Sequence, residues 1–336
     1  MSAKAMVTQR GAVLLGDSVA CDAFEENRPL RVVTHAHADH LVGLKQSLRN
    51  CEKVLMTAAT RDLTEVINDP LALTEGSVKT LEYGKPIQYR DERVTLVKAD
   101  HILGAAQVLV EDASGNRVVY TGDFRLDGTP VLDCDVLVLE ATYGNPSCRR
   151  PFEVDVKELL VSMVEKRLRD GAVYVFGFHG KLQEVMQILH NADVSVPFVM
   201  PERVFRVSKV CERHGMQLGC LTMSTEKEGK ELLDENLPCV AFYHTNSHGN
   251  VGVNSFRIYV SGWEFRSPCR QIGEREYLIA LSDHSDFDGL IEYVRRSKPK
   301  HVVTDNYRMS YGETLAREIT KRLRIPAVAM PKKSAA

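Results

Sequence analysis

Short apolar, β-branched runs punctuate the first part of the chain, at residues 12–15, 30–34, 54–57, 94–98, 106–111, 117–120 and 136–139, and each reads as a strand. From about residue 154 the rhythm changes. Apolar positions spaced three and four apart predict helices over 154–169, 181–190, 203–214, 287–296 and 312–324. Between them, short runs at 172–178, 196–200, 239–243, 256–261, 277–281, 301–304 and 327–329 predict strands. Such alternation implies parallel strands with helices on the sheet faces. A strand-rich first part followed by a strand–helix series predicts an α/β chain of two nested units. Apart from a polar tail at 331–336, no repeat, low-complexity tract or long linker interrupts the pattern.

Composition narrows the class further. A chain of 336 residues, 44% hydrophobic and 26% charged, can bury a core without disulfides or structural metal. No apolar run approaches the roughly 18 residues of a membrane span, and the opening MSAKAMVTQRGAVLLGD lacks a signal-peptide core. Cytoplasmic residence without a membrane partner is therefore expected. The eight cysteines show no CxxC spacing, so reduced, mostly buried thiols are expected rather than a sulfur-ligated zinc site. A net charge of −2 says nothing in favour of general attraction to polyanions, and any nucleic-acid site must be a local patch.

The stretch RVVTHAHADHLVGL carries the clearest chemistry. An apolar strand ends in His35, His37, Asp39 and His40. Residues two apart on an extended backbone point the same way, so His35 and His37 can converge on one ion. Asp39 and His40 turn with the chain toward a second ion. Imidazole and carboxylate are the ligands of catalytic zinc sites that keep an open position. Two later strand ends supply His101, in KADHILGAAQ, and Asp123, in TGDFR. A carboxylate placed between two cations can bridge them, and Asp123 takes that part.

The order HxHxDH, HILGAAQ and TGDF resembles the metallo-β-lactamase superfamily. EATYG at Glu140 to Gly144 and SDHSDF around His284 narrow the resemblance to the β-CASP nucleases. It runs from about residue 11 to residue 304. It implies an αββα metallo-β-lactamase sandwich from residues 1–144 and 267–336, with a β-CASP cap inserted over 145–266. It also implies two zinc ions, with manganese as a substitute, and hydrolysis of phosphodiester bonds in RNA or DNA by exonuclease or endonuclease action. Among members, the short prokaryotic predicted exonucleases and mRNA 3′-end-processing factors are the most similar. A nucleic-acid partner follows, and a homodimer is one form left open.

Under the same resemblance, Asp39, Glu140 and His284 are the catalytic residues. A histidine oriented by a carboxylate is a suitable general acid for an alkoxide leaving group. Many members carry a metal-binding histidine after a later strand; the matching stretch here, KHVVTDNYR, places Asp305 there with Asn306 behind it. His301 is expected to be structural. Lys181 behind Gly180, at a helix start, resembles the Gly-Lys turn of some caps and makes a phosphate seat. Trp263, Arg149 and Arg150 complete the expected substrate contacts. Two other readings compete: a thioesterase or lactonase on the same metal set, and a non-catalytic nucleic-acid-binding subunit.

Overall fold

The computed structural model describes residues 4–332, apart from 69–72, 74–75, 77, 153–154, 251 and 253–254. The chain divides into one unit of Met1–Arg149 with His284–Ala336, and another of Arg150–Asp283.

The first unit opens with a sheet of β1 (Ala5–Val7), β2 (Val13–Leu15), β3 (Val19–Cys21), β4 (Leu30–Val32), β5 (Lys53–Met56) and β6 (Val78–Thr80), in that spatial order. Helices α1 (Leu44–Asn50) and α2 (Ala58–Ile67) lie between its later strands in the chain. A second sheet then begins with β7 (Ile87–Tyr89), β8 (Glu92–Lys98), β9 (Ala106–Asp112), β10 (Arg117–Tyr120) and β11 (Val136–Leu139). The two sheets share one apolar core. Val13, Leu15, Leu30 and Val32 from the first meet Leu96, Val108, Tyr120 and Val138 from the second. The other face of the first sheet buries Val33, Val54 and Met56 with Leu44 of α1. Period-two alternation in β4 thus divides its neighbours between two cores.

The second unit contains α3 (Val156–Leu168), β12 (Val173–Gly177), α4 (Lys181–Asn191), β13 (Phe198–Met200), α5 (Glu202–Arg213), β14 (Leu221–Met223), α6 (Lys227–Asp234), β15 (Val240–His244), β16 (Phe256–Val260), β17 (Cys269–Gly273) and β18 (Glu276–Ile279). Its sheet runs β14-β13-β15-β12-β16-β18-β17, parallel except for the last pair. Asp155 starts α3 by accepting the Lys157 amide at 2.8 Å.

The chain then returns to the first unit as α7 (Phe287–Ser297), β19 (His301–Asp305), α8 (Gly312–Leu323) and β20 (Ala327–Met330). The second sheet is thereby completed as β20-β19-β11-β10-β9-β8-β7. The Phe124 and Tyr293 rings, 4.8 Å apart, anchor α7.

Most long elements fall where the pattern places them. The return at residue 267 does not: β17 and β18 pair into the second unit's sheet, and the first unit resumes only at His284. Helix α2 was not predicted, because AATRDLTEVI offers few large apolar positions and is started by Thr57 accepting the Thr60 amide at 3.1 Å. Three-residue strands such as β1, β3 and β14 are too short to show a period.

Candidate metal centre and catalytic pair

Buried Arg31 positions the histidine loop. Sitting on β4 with no exposed surface, it donates from Nη2 to the His40 carbonyl at 2.9 Å and from Nη1 to the Val42 carbonyl at 3.3 Å. Burial pulls this guanidinium down to about 10, against the opposing charge of Asp22. The loop closes through a short turn, Ala38–His40, so His35 and His37 precede the turn and Asp39 and His40 lie within it.

Ligand atoms of His35, His37, His101 and Asp123 all lie within 4.8 Å of one another. His37 Nδ1 stands 3.1 Å from both His35 Nε2 and His101 Nε2, and Asp123 Oδ2 lies 3.7 Å from His35 Nε2 and 3.9 Å from His101 Nε2. A tetrahedral cation with bonds of about 2.0–2.1 Å holds its ligand atoms roughly 3.3 Å apart, so the cluster has the dimensions of such a cage. Burial, then the neighbouring His40 and His101, push the His35 imidazolium far down and leave its ring a neutral donor.

His40 supplies a second test of fit. Its Nδ1 is 2.7 Å from Asp22 Oδ2, while its buried Nε2 has no hydrogen-bond partner. That Nε2 lies 3.2 Å from Asp123 Oδ2 and 3.4 Å from Asp39 Oδ2. A carboxylate orienting a histidine whose other nitrogen is unsatisfied is the arrangement of a metal ligand with its supporting acid. Burial opposes charge on His40, but Asp123, Asp22 and Asp39 together raise it well above its ordinary value. Asp123 thus borders both sets, and burial cannot keep it protonated against His40, which draws it well below the usual carboxylate range. Gly122 allows this approach at φ +56°, where a Cβ would meet the Ala106 carbonyl at 3.0 Å.

Glu140 follows β11 and His284 precedes α7. His284 Nδ1 is 3.1 Å from each Glu140 oxygen. Oε1 of Glu140 also accepts the Phe124 amide at 2.9 Å, and Ser285 locks the adjacent loop by donating its amide to the Phe124 carbonyl at 2.7 Å and accepting the Leu126 amide at 2.9 Å. One segment, Asp123 to Leu126, therefore sets both the Asp123 carboxylate and the Glu140–His284 pair. The ligand atoms of Asp123, Glu140 and His284 lie within 4.8 Å of one another.

Several expected contacts are placed otherwise. Asp305 is turned onto Arg308, with Oδ2 2.6 Å from Nη1 and Oδ1 accepting the Tyr307 amide at 2.8 Å. Both oxygens of Asp305 are thus engaged, and in this structure it is a buried partner of Arg308. Lys181, expected at a phosphate seat, is only 8% exposed and lies 2.7 Å from Asp283 Oδ1. Gly180 starts α4 at φ +88° and donates its amide to Gln183 Oε1 at 2.8 Å. Arg149 is held 2.7 Å from Asp288, and Arg150 donates to the Gly262 carbonyl and covers the Phe265 ring at 4.6 Å. Trp263 is half exposed in the second unit, and His301 begins β19 opposite Val136.

Asp22 and Arg31 are the supports the motifs do not announce. Asp22 accepts the Thr34 amide and hydroxyl, both at 2.8 Å, besides binding His40. Its signal in the sequence was a carboxylate placed directly after the apolar run ending at Cys21.

Residues 24–174 match the family described as "Beta-lactamase superfamily domain". An "Uncharacterized protein in lig 3'region" of Acidianus ambivalens is 41% identical over 138 residues, covering 40% of this chain and 99% of that protein. An "RNase J-like protein" of Methanocaldococcus jannaschii is 28% identical over 57% of this chain and 52% of its own. The chain belongs to the β-CASP nucleases of the metallo-β-lactamase superfamily. A "Probable DNA ligase" of Opitutus terrae is 24% identical over 84% of this β-CASP chain, which spans 27% of that longer protein. A crystal structure of a protein of unknown function from Enterococcus faecalis V583 shares the fold, with a TM-score of 0.64, 13% identity, and coverage of 99% of this chain and 97% of that one. The family binds divalent metal, and the His/Asp cluster is the group that fits it here. Among the described residues, no helix of this β-CASP chain is long and apolar enough to cross a membrane.

Proposed function

We propose that the chain hydrolyses phosphodiester bonds in nucleic acid using two zinc ions, the first held by His35, His37, His101 and Asp123, the second by Asp39, His40 and the shared Asp123. The observation that carries this reading is the convergence of Asp123 with both the histidine cage and the Glu140–His284 pair. Divalent cations held there would supply Lewis acidity to a phosphate and to an attacking water. The protein supplies the proton. Glu140 stabilises the charged ring of His284 from the Nδ1 side, so the opposite nitrogen can protonate the departing oxygen. Asp22 and Arg31 keep the histidine loop in register while this happens.

The choice between DNA and RNA draws on the relatives. The match along 84% of this chain within a probable DNA ligase supports DNA, and the likeness to an RNase J-like protein keeps RNA as the comparison. Digestion of DNA and RNA labelled at the 5′ or 3′ end, single- or double-stranded, tests the reading, with a thioester panel alongside. Metal-dependent cleavage of an oligonucleotide is expected. Turnover of thioesters alone would overturn the proposal.

A further inference from the structure

His101 is carried by a loop, residues 99–105, that joins the antiparallel strands β8 and β9. Such connections are ordinarily the mobile part of a sheet, and a metal ligand on one must be held in place before the ion arrives. Two carbonyls of this loop turn onto three hydroxyls that follow β5 and β6 in the chain. Gly104 accepts from Thr57 Oγ1 and from Thr60 Oγ1, each at 2.9 Å, and Ala105 accepts from Tyr83 Oη at 2.9 Å. Both lone pairs of the Gly104 oxygen are thereby used, which fixes the direction of that carbonyl.

Thr57 and Thr60 are buried at the start of α2, where Thr57 Oγ1 also accepts the Thr60 amide at 3.1 Å. The approach is close enough to require glycine. Gly104 stands at φ +83°, and a Cβ there would lie 2.7 Å from both the amide nitrogen and the hydroxyl of Thr60. The ends of the loop are tied as well: the Ala99 amide donates to the Ala105 carbonyl at 3.1 Å, and the Ala106 amide to the Thr34 carbonyl at 3.0 Å, directly before His35. The loop bearing His101 is thus fixed to the strand end bearing His35, whose ring centroid is 4.7 Å from that of His101.

We propose that Thr57, Thr60 and Tyr83 form a hydroxyl clasp, with Thr60 at its centre, that positions His101 for the cation of the histidine cage. The clasp rests on the reading of His101 as a metal ligand and names what holds it there. It also accounts for the way α2 begins: the two threonines that open the helix are the two that hold the ligand loop.

The test is cobalt(II) binding by the whole chain, read as affinity and as the visible d–d bands, which report ligand geometry without reference to turnover. Thr60→Val removes the hydroxyl and keeps the shape; it should weaken the tighter cobalt site roughly 10-fold, the usual worth of a group that orients a ligand, and alter the bands. Thr60→Ser should restore both. Tyr83→Phe, at a side chain 40% exposed and tolerant of change, should alter the bands with a loss of about threefold. Unchanged affinity and bands in Thr60→Val would overturn the clasp, even if the metal-free variant melts at a lower temperature. Should Thr60→Val fail to fold, Tyr83→Phe decides alone, and unaltered affinity and bands there overturn the clasp. His101→Ala keeps the two readings apart: cobalt held as tightly as by the unsubstituted chain would remove His101 from the cage, whereas loss of cobalt there with binding unchanged in Thr60→Val removes the clasp alone.

Discussion

The two halves of the proposed metal centre are built to different standards. Around His37, itself half-buried, three imidazole nitrogens and one Asp123 oxygen gather with the other three residues buried. Around His40 the set is shorter: Asp39 is largely exposed, its side chain at 60%, and Asp305 is engaged by Arg308. The first half offers four donors that fit one cation, while the proposed second half relies on Asp123 and on Asp22 behind His40. A cation in the first half is therefore expected to be tight and one in the second exchangeable, which the following experiments can break or sharpen.

Removing the first cage has the largest effect. Chelation, or His37→Ala, should reduce cleavage by roughly 10³-fold or more, as loss of Lewis acidity costs several kcal/mol at the transition state. A chelated preparation with full activity would end the metal-dependent reading. Next comes the proton donor: Glu140→Gln and His284→Ala should each retain metal and lose about 10²- to 10⁴-fold in rate. Their double variant should be little worse than either, because the two act as one unit; additive losses, or metal loss in His284→Ala, would separate them.

The second half is probed more gently. Asp22→Asn should lower affinity for the exchangeable cation by about 10- to 100-fold and leave the first in place, seen as biphasic metal titration becoming monophasic. Proton linkage marks the same pocket. His40 is raised above 6.5 without metal, so the stability it contributes to the metal-free chain is full below that value and is lost as pH rises through the raised one. A cation competes with that proton, so affinity should climb with pH and calorimetry in different buffers should show proton release. No buffer dependence would mean that His40 is not a ligand. The smallest effect on metal is expected at Asp305: Asp305→Ala should leave metal content unchanged while costing about 3–5 kcal/mol of stability by stranding buried Arg308. Metal loss at unchanged stability would return Asp305 to the ligand set.

The clustering of His35, His37, Asp39, His40, His101 and Asp123 was legible because His and Asp side chains placed at strand ends converge, and strand ends show in the hydrophobic pattern. Glu140 and His284 were legible only by resemblance, since 144 positions separate the two partners of a 3.1 Å contact. The partner of Lys181 was not legible, for a different reason. A lysine at a helix start looks the same in sequence whether it meets solvent or an acid, and here Asp283 decided the matter.

What the sequence determined by itself was local: the strand and helix periods, the donor types, and the turn chemistry that lets His35 and His37 face one way. Tertiary structure decided which distant groups those donors meet. Asp22 reaches His40 because Asp22 follows β3 and the histidine loop follows β4, its hydrogen-bonded neighbour, and Arg308 reaches Asp305 across the end of β19. A buried charge takes whichever opposite charge the packed chain brings nearest, and that choice depends on strand order and register, which no local pattern of residues contains.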